Sequence, residues 1–469
     1  MTSPTRDSRW PALVVLCAGM LMVILDQTIV NVALPAIQSD LGFSDSGLAW
    51  VINAYLIAFG GLLLLAGRLG DLIGRRRIFL AGLAVFTLAS LLCGLSGSPE
   101  MLIAARFVQG VGGALSSAVI LGMIVTMFPE PGEQGRAIGV FSFVASAGAS
   151  IGLLAGGVLT QALTWHWIFF VNVPTGALAW FLGARWIAHE AGLGLRAGAD
   201  VPGAVLVTGA LMLGVYTIVD ARSLPLALVA VALLAAFVWR QASAARPLLP
   251  LRVLRSRNVA GANIVQMLMV AGLLGVFFLA VLYLQRVLGY DAVRTGAAFL
   301  PISLSIGVLS LGFSPRLNAR FGPRTVLLPA LASIVAGLFL LSRVPVDGHY
   351  VADLLPAMLL LGIGGGLAFP ALMTLAMSSA APEDSGLASG LVNTTQQVGG
   401  ALGLAILATV AENRTGGATI PAALVDGYGA AFEVASALVL AALVLAVVIL
   451  RPSRAVAGAE AAEPAVATQ

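Results

Sequence analysis

The chain has 469 residues, of which 59% are hydrophobic and only 10% are charged, and its mean hydropathy is +1.00. Soluble domains carry about 25% charged residues, so this composition excludes a soluble enzyme or binding domain of this size. All 25 basic residues are arginine, and with 21 acidic residues they give a formal net charge of +4.

Apolar blocks long enough to cross a bilayer recur along the whole chain. A transmembrane helix takes about 20 predominantly apolar residues, and charged residues, glycines and prolines separate the blocks here. The pattern predicts an all-α polytopic membrane protein with fourteen spans. The predicted limits are 11–36, 48–66, 78–97, 101–126, 136–160, 165–187, 201–219, 224–239, 258–282, 295–313, 324–342, 354–378, 386–411 and 429–450.

The arginines are distributed unequally between alternate loops. If the N-terminus is cytoplasmic, nineteen arginines fall on the cytoplasmic side, five fall outside and Arg106 lies within a span. Cytoplasmic loops carry such an excess of basic residues, and loss of a middle span would invert half of the pattern. The bias therefore predicts fourteen spans with both termini in the cytoplasm. We expect the chain to lie in the inner (plasma) membrane of the cell. The bias also explains the net charge, so we expect no nucleic-acid partner.

The chain contains a weak internal repeat. Segments 67–77 and 312–324 both place arginines around a glycine between two predicted spans. Setting aside two middle spans leaves six on either side, as in two-bundle transporters. The predicted domains are a first six-helix bundle, two additional central helices, a basic cytoplasmic linker, a second six-helix bundle and a disordered cytoplasmic tail, at 1–190, 191–240, 241–257, 258–452 and 453–469.

Asp26 is the strongest candidate for a functional residue. It lies near the middle of the first span, where a carboxylate costs about 2.5–3.5 kcal/mol to insert, so it must face the protein interior and pair or bind a proton. Arg106, at a similar depth in the fourth span, is the expected partner, and Gln109 follows one turn later. We also expect Asp26 and Gln109 to line the substrate cavity. The alternatives are a carboxylate used only for helix packing and an arginine that snorkels outward.

Two glycine patterns predict close backbone approaches. In segment 67–77, glycines permit a tight reversal and an aspartate can bridge to arginines, which suggests a conformational latch; the alternative is that the arginines only fix topology. The candidate gating residues are Gly67, Asp71, Gly74, Arg75 and Arg76. In the fifth span, small residues at four-residue spacing predict a helix-packing face, formed by Gly148, Gly152, Gly156 and Gly157.

A polar face in the thirteenth span is the other candidate substrate contact. Asn393, Gln396 and Gln397 stand at i, i+3 and i+4, so they share one side of an apolar helix. Substrate contact and hydrogen bonding between helices explain them equally well. Other candidates for the substrate cavity, each with packing or lipid contact as its alternative, are Trp50, Asn53, Tyr55 and Phe278.

Four motifs resemble the major facilitator superfamily, and most closely its fourteen-helix drug:H⁺ antiporter branch. They are LDQTIVNVALP at 25–35, GRLGDLIGRRR at 67–77, RFVQGVGGA at 106–114 and SGLASGLVNTTQQVGGALGLAI at 385–406. The resemblance implies a fold of two six-helix bundles plus two central helices. It implies proton coupling by Asp26 and Arg106, gating by the 67–77 residues, and an antiporter pattern on the fifth-span glycines.

Two departures from the family pattern qualify the predicted function. Leu153 stands where the fifth-helix pattern has proline, and Leu72 stands where a basic residue is common in the loop motif. We predict a proton-coupled antiporter that exports amphipathic small molecules, with a proton-coupled uptake symporter as the alternative that Leu153 leaves open. We expect no catalytic site, no cofactor and no metal, since the three histidines and two cysteines form no ligand cluster. The expected partners are substrate, protons and lipid, and the expected state is a monomer.

Overall fold

The computed structural model describes residues 6–189, 192–194, 198–221, 223–245, 247–249, 251–377 and 385–451, and within these ranges the regular secondary structure is helical, with no strand. The helices of the N-terminal part are α1 to α8, at Arg6–Leu41, Trp50–Ile73, Arg75–Gly94, Pro99–Met127, Pro131–Ala162, Asn172–Trp186, Val201–Tyr216 and Leu224–Ser243.

The C-terminal part begins with α9 at Arg257–Leu282, which a π-helical turn extends to Val287. Helix α10 is built from Ala292–Ala298, Leu300–Val308 and Ser314–Phe321, with a π-helical turn at Leu309–Phe313 before the last piece. The remaining helices are α11 to α14, at Pro323–Leu341, Leu355–Met377, Ser385–Thr415 and Pro421–Ile449. The predicted tail, 453–469, lies outside the described residues.

Twelve helices within the described residues are long and apolar enough to cross a membrane. The two long helices outside that set, α5 and α13, have 32 and 31 residues, which exceeds the roughly 20 residues that a span requires. The chain is therefore an all-helical, multi-pass membrane protein, as its composition predicts.

The two segments of the internal repeat, 67–77 and 312–324, are mostly helical rather than loops. Helix α2 continues to Ile73 and α3 begins at Arg75, so only Gly74 separates them, with φ +107°. In segment 312–324, the last piece of α10 ends at Phe321, and Gly322, with φ +83°, precedes α11. Both reversals need a backbone conformation that glycine adopts without a steric penalty. The two halves thus repeat the same helix–glycine–helix junction.

The helices pack in two groups. In the first group, α1 packs against α4, α5 and α6, while α4 also packs against α2 and α3. In the second group, α9 packs against α12, α13 and α14, while α11 packs against α12 and α14. Helices α7 and α8 pack against each other, and α7 also packs against α2 of the first group.

The two groups meet tightly at the end of the molecule where α1 and α9 finish, which we call the closed end. Gln285 donates from Nε2 to the carbonyl of Val32 over 3.0 Å, and the guanidinium of Arg286 contacts the side-chain oxygen of Gln38. The α2–α3 junction lies at the other end of α2, which we call the basic end. The groups also touch along α2 and α13.

Candidate functional site

Asp26 lies in a fully buried cage of hydrogen-bond donors. Its side chain is 0% exposed. Arg106 Nη1 lies 2.5 Å from Oδ2, while Gln109 Nε2 and Asn172 Nδ2 donate to Oδ1 over 2.7 and 3.1 Å. Helices α1, α4 and α6 supply these groups, so the cage lies inside the first helix group. These donors, one of them cationic, offset part of the cost of burying the carboxylate in an apolar medium.

Arg106 is held as firmly as its partner. Only 1% of the side chain is exposed. Its Nε donates to the carbonyl of Val51 over 2.8 Å and its Nη1 to Gln109 Oε1 over 2.6 Å. The guanidinium carbon lies 4.6 Å from the centre of the Tyr55 ring, a distance at which an aromatic face stabilises a cation. The Arg106 side chain therefore does not snorkel to the bilayer surface in this conformation.

Gln109 connects the ion pair to a third helix. Its Nε2 also donates to Ser90 Oγ on α3 over 2.8 Å, and the Cys93 thiol lies 3.6 Å from Oε1. A glutamine amide both donates and accepts, so Gln109 bonds to the carboxylate and the guanidinium at once. If a proton neutralised Asp26, the strongest bond in the cage, that to Arg106, would weaken while the amide bonds could remain. The cage can therefore couple protonation to the packing of α1, α4 and α6.

The predicted gating residues surround the α2–α3 junction. Arg75 Nη2 lies 3.2 Å from Asp71 Oδ1, and Arg75 Nη1 donates to Thr126 Oγ1 of α4 over 2.9 Å. Arg76 donates to the carbonyl of Ala184 on α6. The Asp71–Arg75 pair is partly exposed, so it contributes little on its own. Its value is geometric, because one junction contacts both α4 and α6.

The predicted glycine face contacts two different partners. A Cβ atom on Gly148, Gly152 or Gly156 would collide with α1, most severely at Gly152, where Thr28 Oγ1 would lie only 2.0 Å away. A Cβ atom on Gly157 would instead lie 2.5 Å from the carbonyl oxygen of Ala292 in the second group. The face therefore packs α5 against α1 and, at its last position, joins the two groups.

The predicted amide face of α13 lies where both helix groups meet. Gln397 is buried, and its Cβ packs against Gly60 of α2. Gln396 Oε1 lies 3.4 Å from Gln266 Nε2 of α9. Asn393 is exposed. The contact between Gln396 and Gln266 is hydrogen bonding between helices, one of the two roles predicted for this face.

The other predicted cavity residues are spread over both groups. Trp50 and Asn53 are buried on α2, and the Asn53 amide atoms make no hydrogen bond within the described residues. Tyr55 covers Arg106. Phe278 is buried inside the second group, beside Ala408 and Tyr428, so it does not contact the Asp26 cage.

The sequence is related to transporters over most of its length. Residues 16–404 match the Major Facilitator Superfamily. The chain is 43% identical to puromycin resistance protein pur8 of Streptomyces alboniger, over 94% of this chain and 90% of that protein. It is 40% identical to cephamycin export protein CmcT of Amycolatopsis lactamdurans, over 94% and 91%. The chain belongs to the Major Facilitator Superfamily.

Structural similarity agrees with this assignment. The crystal structure of the nucleoside transporter NupG superimposes with a TM-score of 0.68, covering 94% of this chain and 100% of that one at 12% identity. At that identity the match shows the fold alone. As a member of the Major Facilitator Superfamily, the chain is a membrane transporter of small molecules and not an enzyme.

Three buried amide residues of this superfamily member were not predicted from the sequence. Asn172 supplies the third donor to Asp26, although nothing in the sequence shows that α6 lies beside α1. Asn263 and Gln266 are buried on α9, and Asn263 Oδ1 accepts from Thr395 Oγ1 over 3.0 Å. The sequence contains a signal for Asn263 and Gln266, because two amides three residues apart in an apolar span share one face of the helix. They form a polar contact with α13 inside the second group.

Proposed function

We propose that this chain is a proton-driven antiporter that exports amphipathic, antibiotic-like small molecules from the cytoplasm. The observation that carries the proposal is the buried Asp26–Arg106 pair, 2.5 Å apart, in a chain that resembles antibiotic export and resistance proteins over nearly its whole length. A buried carboxylate bonded to a cation and two amides can exchange a proton only when the cage opens. Proton exchange is thereby tied to a change of conformation.

The cycle consists of alternating access by the two helix groups. A proton entering from outside neutralises Asp26 and weakens its bond to Arg106. Release of the proton to the cytoplasm restores the ion pair. Each proton that enters across 100 mV supplies about 2.3 kcal/mol, which is enough for roughly a fortyfold substrate gradient at 1.4 kcal/mol per decade.

The same proposal includes the topology. All fourteen long helices span the plasma membrane, with the basic end and both termini in the cytoplasm. The arginine distribution and the lengths of α5 and α13, 32 and 31 residues, support it. Helices α7 and α8 are the two additional central spans, and the chain works as a monomer with no cofactor.

The substrate binds at the surface where α2, α9 and α13 meet. The amides of Gln396 and Gln266, which lie 3.4 Å apart, and the exposed Asn393 are neutral polar groups on otherwise apolar helices. Such a surface suits a neutral or singly charged amphipathic molecule. Asp26 is already saturated by its own partners in this conformation, so direct ion pairing with substrate has no support here.

Flux in inverted membrane vesicles tests the proposal. We expect puromycin to accumulate in vesicles that carry the protein, and a protonophore to abolish the uptake. Asp26→Asn should remove the dependence on the proton gradient. Asp40→Asn is the matched control, because Asp40 is an exposed aspartate at the end of the same helix.

The direction of flux decides between export and uptake. Helix α5 runs continuously from Pro131 to Ala162, without the proline kink of the antiporter pattern, so uptake is the rival function. Proton-driven movement of puromycin out of the inverted vesicles would overturn export. Normal gradient-driven transport by Asp26→Asn would exclude Asp26 as the coupling group.

A further inference from the structure

The segment that follows α6 is bonded to the α2–α3 junction. The backbone N–H of Leu193 donates to the carbonyl of Asp71, and that of Gly194 donates to the carbonyl of Leu72, both over 2.9 Å. The last carbonyls of a helix lack partners within the helix, so these bonds satisfy the end of α2. We call the described residues 192–194 and 198–200 the tether.

Only glycine fits at the first position of the tether. A Cβ atom on Gly192 would lie 2.2 Å from the carbonyl oxygen of Leu72 and 2.7 Å from the backbone nitrogen of Gly74. The tether therefore lies directly on the junction. It is fastened a second time by Arg68, whose Nε donates to the carbonyl of Gly198 over 3.2 Å.

The other end of the tether is the buried carboxylate of Asp200, which joins α7 to α8. Its oxygens accept from the backbone of Gly203 over 3.1 Å, from Arg240 Nε over 2.5 Å and from Gln241 Nε2 over 3.0 Å. Only 2% of the Asp200 side chain is exposed. The start of α7 and the end of α8 are thus fixed together at the basic end.

Gln241 carries the connection to the second helix group. Its Oε1 accepts from the backbone N–H of Leu249 over 3.0 Å. Leu249 packs in a small apolar cluster with Val259 of α9 and Leu391 of α13. The connection therefore runs from Arg68 near the α2–α3 junction to Gly198, along the backbone to Asp200, and through Gln241 and Leu249 to the start of the second group.

We propose that Gly192, Asp200 and Gln241 are positioning residues that couple the α2–α3 junction to the second helix group through α7 and α8. The inference rests on the proposed alternating access, in which the two groups move relative to each other. The bonds of the tether hold the junction in the arrangement that accompanies a shut closed end. Weakening either connection should therefore favour opening of the closed end.

A buried cysteine at the closed end reports that opening directly. Val32 is 1% exposed, and its carbonyl accepts from Gln285. In Val32→Cys, reaction with a membrane-impermeant maleimide on intact cells requires the closed end to open. Protein without the added cysteine gives the background from Cys17 and Cys93, which are both buried. The measurement needs no substrate, so a wrong driving force or direction in the proposed function leaves it interpretable.

Two variants and two matched controls are compared in the Val32→Cys protein. Gly192→Ala pushes the tether off the junction, whereas Gly97→Ala adds the same methyl group to a loop glycine whose Cβ would have no neighbouring atom within 4 Å. Gln241→Leu breaks the bond to Leu249, whereas Trp239→Leu changes a residue of the same helix that is 71% exposed. We expect labelling about threefold to tenfold faster in the two variants than in the controls, which is the shift that loss of one or two hydrogen bonds produces.

A second readout separates positioning from mere stability. With puromycin as probe, the two variants should lower the maximal export rate while the apparent KM stays within about twofold of the parent value. Labelling equal to that of the controls would overturn the proposal. So would the loss of folded protein in both variants while both controls fold, because the segment would then serve stability rather than coupling.

Discussion

Gly157 and Ala292 join the two helix groups backbone to backbone. A Cβ atom on Gly157 would lie 2.5 Å from the carbonyl oxygen of Ala292, and one on Gly296 would lie 2.6 Å from the carbonyl of Leu153. Real Cβ contacts do not reach such distances, so α5 and α10 can approach this closely only because both positions are glycine. The closed end therefore depends on two reciprocal glycine contacts.

Gly157→Ala should hold the closed end apart. Overpacking a tight contact costs about 1–3 kcal/mol, which shifts a two-state equilibrium by about fivefold to 150-fold. Maleimide labelling of Val32→Cys on intact cells should accelerate accordingly. Gly312→Ala on α10, where the added Cβ would have no neighbouring atom within 4 Å, is the control. Identical labelling of the two variants would show that the Gly157 contact does not control closure.

Arg106→Leu should destabilise the protein more than the same change combined with Asp26→Asn. Removing one partner of a buried ion pair costs about 3–5 kcal/mol, because the other charge stays buried and unpaired. Asparagine at position 26 removes that charge and retains an acceptor for Gln109 and Asn172. Thermal unfolding in detergent should rank the double variant above Arg106→Leu. A double variant as unstable as the sum of the single losses would contradict coupling between the two residues.

Depth in the membrane made the central pair predictable. Counting residues along two spans places Asp26 and Arg106 at similar depths, and an unpaired charge at that depth is too costly to persist. Asn172 could not be found in this way, because it lies at the start of α6 and a sequence does not reveal which helices are neighbours. The same limit applies to Ser90, whose bond to Gln109 depends on the contact between α3 and α4.

Glycine spacing predicts a close approach but not its partner. Gly152 and Gly157 belong to one pattern, yet Gly152 faces α1 of the same group and Gly157 faces the other group. Five residues at about 100° per residue turn the helix by about 500°, which leaves the two glycines about 140° apart around the helix axis. They therefore lie on different faces of α5. The tether was beyond prediction for another reason. Its bonds to Asp71 and Leu72 are made by backbone groups, and the sequence does not show where the backbone of residues 192–194 runs.

Gly152→Ala should loosen the packing of α5 on α1. Its Cβ would lie 2.0 Å from Thr28 Oγ1, which is already bonded to the carbonyls of Ile24 and Leu25. We expect a loss of about 1–3 kcal/mol in the free energy of unfolding, measured by denaturation in mixed micelles. Gly214→Ala lies within α7, where the added Cβ would have no neighbouring atom within 4 Å. It should instead raise the free energy of unfolding by about 0.5–1 kcal/mol through helix propensity. Adding Thr28→Ala should restore part of the loss, and failure to do so would place the clash elsewhere.

Asp200 should give the protein a distinctive sensitivity to acid. Burial raises the pKa of its carboxyl, but hydrogen bonds from Arg240, Gln241 and the backbone of Gly203 outweigh burial and hold the pKa below its usual value. A depressed pKa stabilises the folded protein above the unfolded value of about 3.9, and that stability is lost as pH falls through the folded pKa. The difference in melting temperature between the parent protein and Asp200→Asn should therefore be full above about pH 5 and shrink steadily below about pH 4.

The exposed pair of Arg414 and Asp426 provides the control for that measurement. Its two side chains are 63% and 56% exposed, and pairs in water contribute about 0–1 kcal/mol. Asp426→Asn should therefore change the melting temperature little at any pH. The melting temperatures of the parent protein and Asp200→Asn are compared between about pH 3 and pH 7, a range that includes the reference carboxyl pKa of about 3.9. A difference that stays constant over this range would mean that the donors do not stabilise the Asp200 carboxylate. The connection between α7 and α8 would then have to depend on packing alone.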